Sequence, residues 1–465
     1  MEMQPLVSYF VCLLSILFIR FIIFRPDNES SDLEDHNHLF LIGIMSRREN
    51  LKMRDSIRNT WVRSLNSSLG KHKFLIGKDF CPIPPVDRTS EYSCEEWTPK
   101  IAKSLSRKDT SYEIESSKII FNSSQTMVKD LNFQVHYEIV IKRLCLLSEI
   151  IKSHARLSLI NLMTNERVFT ATFSSENVNE KKELSTCKQV EPFVFPKGFE
   201  GKILLTTDNS VNLESSCNVI LTDDSHFVTY RSTRKMLRKE FCAPFSMSYF
   251  VKDMEGLEKF LSQKQQRYFD WMTEQKLLTS QLILESERHD DVILLNIVDV
   301  YRNLPKKLIY FFKWADRNAE YEFLLKTDDD TFVDTKRVTQ ELLKLQDTKN
   351  LIWSSFREFW PVQSSGKWRE DNYNSLTYPP FPCGSGYVLS ADIVSYLVDN
   401  SEELFKFQGE DTSVGIWLAP LSPFYKNDCW KCSDCYNFAC NQPQLTEKEM
   451  YDAWVVYEKE GAILC

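Results

Sequence analysis

The sequence predicts an α/β fold in which a parallel sheet is broken by a long β-rich insert and preceded by a membrane-spanning helix. Three patterns carry the prediction: short apolar runs alternating with helical stretches at both ends of the body, a different period-two pattern between them, and a largely apolar stretch of nineteen residues near the start. A content of 43% hydrophobic and 26% charged residues with only 12 Gly and 17 Pro excludes a collagen-like, low-complexity or largely disordered chain. The formal charge of -8 leaves no broad basic surface for a phosphate backbone, so nucleic acid is not an expected partner.

Leu6 to Phe24 reads LVSYFVCLLSILFIRFIIF, with a single charge at Arg20. At about 1.5 Å per residue this stretch crosses a bilayer core of about 30 Å. It lacks the basic start, short apolar core and small-residue cleavage site of a removed signal, so an uncleaved signal anchor is expected, with residues 1–5 as a cytosolic tail. Arg20 and Arg25 alone would place the body in the cytosol. Thirteen cysteines and N-x-Ser sequons at Asn28, Asn66 and Asn122 favour the opposite: a type II protein with a lumenal, disulfide-bonded, glycosylated body.

A polar linker, residues 25–38, leads to LFLIGIMS at Leu39 to Ser46, a buried-type strand, then a helical stretch from Arg48 to Leu65 and a second strand at Lys73 to Gly77. Residues 39–80 thus form the first part of the α/β domain. The rhythm resumes with a strand at Asp291 to Asp299, a helix at Pro305 to Asn318 with Pro in its first turn, and a strand running from Tyr321 to Asp330. Residues 250–428 form the main part. Between them, residues 95–245 show alternation in FQVHYEIVI (Phe133 to Ile141) and β-like runs at Arg156 to Leu162, Arg167 to Phe173, Gly201 to Thr206 and Asn218 to Thr222. That spacing predicts an inserted β-sandwich, the alternative being a decorated extension of the sheet.

Asp328, Asp329 and Asp330 close an apolar strand, where an open α/β sheet keeps its ligand crevice. Adjacent carboxylates repel, and a fold that gathers them commonly supplies a hard cation such as Mg²⁺ or Mn²⁺; a solvated acidic loop would show the same triplet. A second pair, Glu410-Asp411, opens a helical run, where Asp411 serves equally as a helix N-cap or as a general base. Trp353, Trp360 and Trp368 are candidate sugar-stacking platforms or core residues. Residues 429–465 are a Cys-rich tail in which Cys429, Cys432, Cys435 and Cys440 make C-x2-C-x2-C-x4-C. In an oxidising compartment these read as disulfide partners rather than a metal cluster, and Cys81 with Cys94 is a pairing suggested by proximity.

Five blocks in order resemble the inverting β-1,3-glycosyltransferases of family 31, which have the GT-A fold: RDSIRNTW (Arg54 to Trp61), DVYRNLPKK (Asp299 to Lys307), LLKTDDDTFV (Leu324 to Val333), YPPFPCGSGYVLS (Tyr378 to Ser390) and GEDTSVG (Gly409 to Gly415). The CPIPPVDRTSEYSC segment, the long insert and the GKW at Gly366 to Trp368 are similar to a GalNAc-transferring branch. The resemblance implies a UDP-sugar donor, UDP-GalNAc, and an acceptor ending in β-linked GlcNAc on glycoprotein glycans of the O-mannosyl type, in the Golgi or endoplasmic reticulum membrane. UDP-Gal and UDP-GlcNAc are the alternative donors. By the same likeness Asp411 is the catalytic base, Asp330 with Asp328 the metal ligands, and Arg54, Arg58, Lys307, Asp328 and Asp329 donor-binding residues. Cys383-Gly384-Ser385-Gly386, with Glu410 and Trp353, falls on the sugar and acceptor side.

One departure stands out. Relatives place a His downstream of the Glu-Asp motif as a further metal ligand, and here no His follows His289; Asn427 or Asp428 are the oxygens available in its place. This gap is also what an inactive glycan-binding protein would show. A metal-dependent hydrolase is disfavoured, because no second set of ligands accompanies the triplet.

Overall fold

The computed structural model describes residues 38–100, 114–115, 118–119, 126–127, 129–151, 154–174, 185–208, 219–220, 225–232 and 241–465. The expected membrane helix, Asn28 and Asn122 lie outside these residues, and among the described residues no helix is long and apolar enough to cross a membrane.

A seven-stranded sheet forms the larger half. Its strands are β1 (His38–Met45), β2 (Gly70–Asp79), β11 (Val292–Val298), β12 (Tyr321–Asp328), β14 (Leu351–Arg357), β15 (Phe381–Ser390) and β16 (Phe424–Asn427), in the spatial order β11-β2-β1-β12-β15-β14-β16. All run parallel except β15, which pairs antiparallel with both neighbours. The apolar run of β1 is explained by its central place: Phe40, Ile42 and Ile44 enter one hydrophobic cluster and Leu41 and Met45 another.

Helices cover both faces. On one side lie α1 (Leu51–Asn59), α5 (Thr335–Leu343) and α8 (Glu447–Glu460), contributing Ile57, Val338 and Met450. The other side receives α4 (Leu304–Asn318), α6 (Ala391–Asp399) and α7 (Glu410–Leu418), contributing Phe311, Val394 and Val414. The expected helix from Arg48 to Leu65 is shorter, with α1 closing at Asn59 and a 3₁₀ turn following at Trp61–Ser64.

Two larger antiparallel sheets build the core of the insert, beside a small sheet of two-residue strands. One joins β9 (Val228–Ser232), β3 (Asp130–Val135), β8 (Glu200–Thr207), β5 (His154–Asn161) and β6 (Arg167–Ser174) in that order. The other joins β7 (Ser185–Phe195), β4 (Ile139–Leu147), β10 (Phe245–Val251) and the short strand Ile114–Glu115. Phe133, Leu157 and Ile203 from the first and Ile141, Leu144 and Met247 from the second share one hydrophobic cluster. The alternating run Phe133 to Ile141 is divided between the sheets. Val135 and Ile139 are both fully buried on either side of a bend, because each sheet turns its inward face to the same core. Two helices missed in the sequence, α2 (Met254–Ser262) and α3 (Lys264–His289), return the chain to β11.

The cysteine reading holds where it can be followed. Five disulfides join described residues: Cys81–Cys94, Cys145–Cys187, Cys383–Cys432, Cys429–Cys440 and Cys435–Cys465. All four cysteines of the C-x2-C-x2-C-x4-C run are thereby paired, and the tail is bound through Cys432 to β15.

Candidate active site

The acidic triplet ends β12 at the carboxyl edge of the parallel strands, as the sequence predicts. The period of two then separates its members. Leu324 packs in the cluster under α7, so Lys326 and Asp328, two and four residues on, share that face. There the Lys326 Nζ, fully buried, donates to Asp328 Oδ1 at 2.8 Å, to Glu410 Oε1 at 2.7 Å and to the Gly384 carbonyl at 2.5 Å. Asp329 instead turns toward α1, accepting from Ser46 Oγ at 2.7 Å and Asn50 Nδ2 at 2.9 Å. Asp330 is half-buried, and its carboxylate accepts a 3.3 Å bond from the neighbouring Thr331 hydroxyl.

Lys326 is the residue that sequence reading missed. A lysine inside an otherwise apolar strand, two positions before a triplet of acids, was the available signal. Its ammonium stands against the carboxylates of Asp328, Glu410 and Asp411, and one cation cannot offset three anions. Burial, then the charge of Glu410, raises the Asp411 carboxyl to about 7. Burial likewise raises Asp328 to about 7 despite the opposing pull of Lys326. Asp330 is raised by burial and by Asp329. Lys326 stays firmly charged, because Asp328 and Glu410 outweigh its desolvation.

Gly409, not Asp411, is the N-cap of α7, with φ at +89° in a region that side chains rarely adopt. Asp411 lies in the first turn, where its Oδ1 accepts from the Thr412 N–H at 2.8 Å and where the helix N-terminus favours the ionised form. A Cβ on Gly384 would stand 3.1 Å from Glu410 Oε1 and 3.4 Å from Asp411 Oδ2, so the bare backbone of β15 lets the two carboxylates approach. The Asp411 cleft is lined further by Arg357, Trp360, Trp368, Tyr378 and the Cys383–Cys432 disulfide. A roomier hollow around His38, His72 and Trp314 opens at the amino ends of the strands, away from the crevice at which such sheets bind ligands.

Several expected roles change. Arg54 is fully buried; its guanidinium forks onto Glu285 of α3 at 2.8 and 2.7 Å and donates to Ser46 Oγ at 2.9 Å, leaving nothing to offer a donor sugar. Arg58 pairs with Asp291, Glu285 and Asp55, and although burial opposes its charge, the Asp291 and Glu285 carboxylates win. Both arginines therefore lock α1 to α3, and Arg54, through Ser46, orients Asp329. Lys307 is buried between the Ser46 carbonyl at 2.7 Å and Asp299 at 2.9 Å, and it too braces the strand end rather than facing a diphosphate.

On the acceptor side the geometry divides the residues again. Gly384 borders the cleft, but a Cβ on Gly386 would meet the Trp430 ring at 2.4 Å, so that glycine serves core packing. Ser385 is held by the tail, donating to the Lys431 carbonyl at 2.6 Å. Glu410 turns inward to Lys326. Trp353 is fully buried with its ring edge-on to Trp430, so it is core and not a sugar platform. Trp360 and Trp368 keep 37% and 59% of their surface exposed and line the cleft. Trp353→Ala is expected to lower unfolding stability by about 3 to 5 kcal/mol, read by denaturant unfolding. A loss below about 1 kcal/mol would show the indole is not structural.

Asn66, in contrast, is exposed, its side-chain oxygen accepting from the Ser68 N–H at 3.0 Å. Among the described residues no three His, Cys, Asp or Glu side chains converge as a metal-binding group. Asp428, one of the substitutes for the absent His, pairs with Lys426 at 2.9 Å.

A family model described as Galactosyltransferase matches residues 270–423, which include the triplet and Asp411 but not Arg54 or Arg58. The chain is 32% identical over 468 residues to UDP-GalNAc:beta-1,3-N-acetylgalactosaminyltransferase 2 of Xenopus laevis, covering 96% of this chain and 93% of that one. It is 31% identical to the Homo sapiens protein of the same description, over 90% of this chain and 88% of the relative. Beta-1,3-galactosyltransferase 6 of Mus musculus is 34% identical over 168 residues, 35% of this chain and 52% of the relative. The mixed sheet with its acids at the carboxyl edge and the near full-length likeness lead to one conclusion: this chain is a glycosyltransferase and belongs to the galactosyltransferase family, the β-1,3-glycosyltransferases of family 31.

Proposed function

We propose that the protein is an inverting β-1,3-N-acetylgalactosaminyltransferase that moves GalNAc from UDP-GalNAc to a β-linked GlcNAc at the end of a glycoprotein glycan, O-mannosyl chains being its acceptor class. The observation that carries this reading is the Asp411 carboxylate in a cleft with two exposed tryptophans, linked through Glu410 and Lys326 to the triplet. In the reaction Asp411 takes the proton of the acceptor hydroxyl, the freed oxygen attacks the anomeric carbon from the face opposite the diphosphate, and the bond to UDP breaks. Trp360 and Trp368 present aromatic faces to sugar rings, and Lys326 holds Glu410 and Asp328 in place beside the base.

Two carboxylates support a hard divalent cation here. Asp330 is half-buried and raised by burial, the state of a carboxylate that a cation would return to the ionised form, while Asp328 is already shared with Lys326. Mg²⁺ or Mn²⁺ would be held by Asp330, with Asp328 beside it, and by donor oxygens and water, supplying Lewis-acid stabilisation of the leaving diphosphate. A type II anchor at residues 6–24, a lumenal body in the Golgi or endoplasmic reticulum and a sandwich-type insert belong to the same reading.

The test is transfer by residues 26–465, purified, with UDP-GalNAc, UDP-Gal and UDP-GlcNAc on a β-GlcNAc acceptor, each with Mn²⁺ and with chelator. GalNAc transfer lost on chelation is expected. A folded sample that transfers none of the three sugars would overturn the reading in favour of a glycan-binding protein.

A further inference from the structure

A groove continues from the Asp411 cleft toward the β-rich insert, and Trp368 lines both. Beyond that indole the walls bring together distant parts of the chain, with Arg302, Gly366 and Arg369 on one side, Gln134, Met163 and Glu200 of the insert on another, and the 85–92 segment completing the lining. Its volume of about 760 Å³ falls within the range of small-ligand sites, against about 110 Å³ for the cleft alone. The insert also holds the loop that carries Trp368. Glu200 Oε2 accepts from the Gly366 N–H at 2.5 Å, Glu200 Oε1 accepts from Arg369 at 3.1 Å, and Ser365 Oγ donates to the Leu162 carbonyl at 3.5 Å.

Gln408 marks the junction of the cleft with a neighbouring hollow that shares Gln134, Arg302 and Arg369 with the groove. It is 8% exposed and lines the Asp411 cleft as well as the hollow around Arg231, Arg302 and Arg369. Its main-chain N–H donates to Glu370 Oε2 at 2.5 Å and its Oε1 accepts from Arg302 at 2.6 Å, but its Nε2 has no partner. A buried amide donor left unpaired is costly, on the order of 1–3 kcal/mol, and at the meeting of two cavities it is placed to bond a ligand oxygen.

Resting on the transferase reading above, we propose that the insert forms one wall of a second acceptor subsite, which takes the sugar next to the reacting one. The acceptor is then an oligosaccharide of two or more units, with the linkage between them passing Gln408. The chemistry suits a glycan: an exposed indole face, the amides of Gln134 and Gln408, and the guanidinium groups of Arg302 and Arg369 are hydroxyl-binding groups beside a ring-stacking surface.

The test compares three acceptors on one aglycone: β-GlcNAc, a disaccharide ending in β-GlcNAc, and a peptide bearing a single β-GlcNAc. Wild-type kcat/KM is expected to favour the disaccharide by roughly tenfold, with Gln134→Ala and Met163→Ala each reducing that preference severalfold through KM. Melting curves of both variants show that the fold is kept. Equal use of mono- and disaccharide, preference for the peptide, or an unaltered ratio in both variants overturns the subsite. Binding is read separately by saturation-transfer NMR of the disaccharide without donor. Binding that weakens in both variants in a protein that transfers nothing would retain the subsite while the transferase reading falls, and disaccharide binding no tighter than GlcNAc would remove the subsite whatever the transfer result.

Discussion

Asp411→Asn is expected to leave the chain folded and to lower kcat by at least about 10² to 10⁴, the usual contribution of a general base. The amide keeps the size of the carboxylate and can still accept from the Thr412 N–H, so α7 has no reason to unwind. What is lost is the proton acceptor. The effect carries a pH signature: with the Asp411 carboxyl raised to about 7 by burial and by Glu410, the base is protonated below that value and ionised above it. Wild-type kcat should therefore climb as pH rises through about 7 and then level. The residual rate of the Asn variant should lack that acidic limb. Because the charges of Glu410 and Asp328 act on Asp411, the limb belongs to the cluster. Wild-type turnover in Asp411→Asn would remove Asp411 from the mechanism.

Lys326→Met should be the most damaging single change, because it acts on stability and chemistry together. The ammonium is fully buried and bonded to Asp328, Glu410 and the Gly384 carbonyl. Removing one partner of a buried pair leaves the others uncompensated, at a cost of about 3 to 5 kcal/mol. The sign for catalysis follows from the same charge. Lys326 holds the Asp411 carboxyl down, so without it the base is protonated over more of the pH range and the acidic limb moves upward. Adding Glu410→Gln removes one of the stranded anions and should return part of the stability without restoring full turnover, since Asp328 still lacks its cation. Denaturant unfolding and a pH profile of kcat check both parts. A variant with wild-type stability and an unmoved pH limb would show that Lys326 does not organise the cluster.

The particular residues show where sequence reading succeeds. The strand from Tyr321 ends in the triplet at the carboxyl edge, the helix after Gly409 begins where the Glu-Asp pair stands, and Cys81 pairs with Cys94. Each depends on local order: a run of apolar residues, a glycine, a short spacing. Reading fails where a long side chain has several partners to choose from. Arg54 and Arg58 look like free cations four apart on a helix, yet their carboxylates come from Glu285 and Asp291, more than two hundred positions later. Trp353 and Trp368 are the same residue type fifteen positions apart, one sealed against Trp430 and the other open to the cleft.

The sequence by itself determined the α/β alternation, the family, the acid-bearing strand end and the disulfide chemistry, because periodicity, composition and short motifs are properties of neighbouring residues. Tertiary structure alone decided which charges are spent inside the protein and which face a ligand. Lys326 meets Glu410 across 84 positions, Arg54 meets Glu285 across 231, and Glu200 of the insert meets Arg369 across 169. Electrostatic pairing acts over a few ångströms of space and takes no account of distance along the chain, so only the packed sheet, with α7 above one face and α1 above the other, could assign these partners.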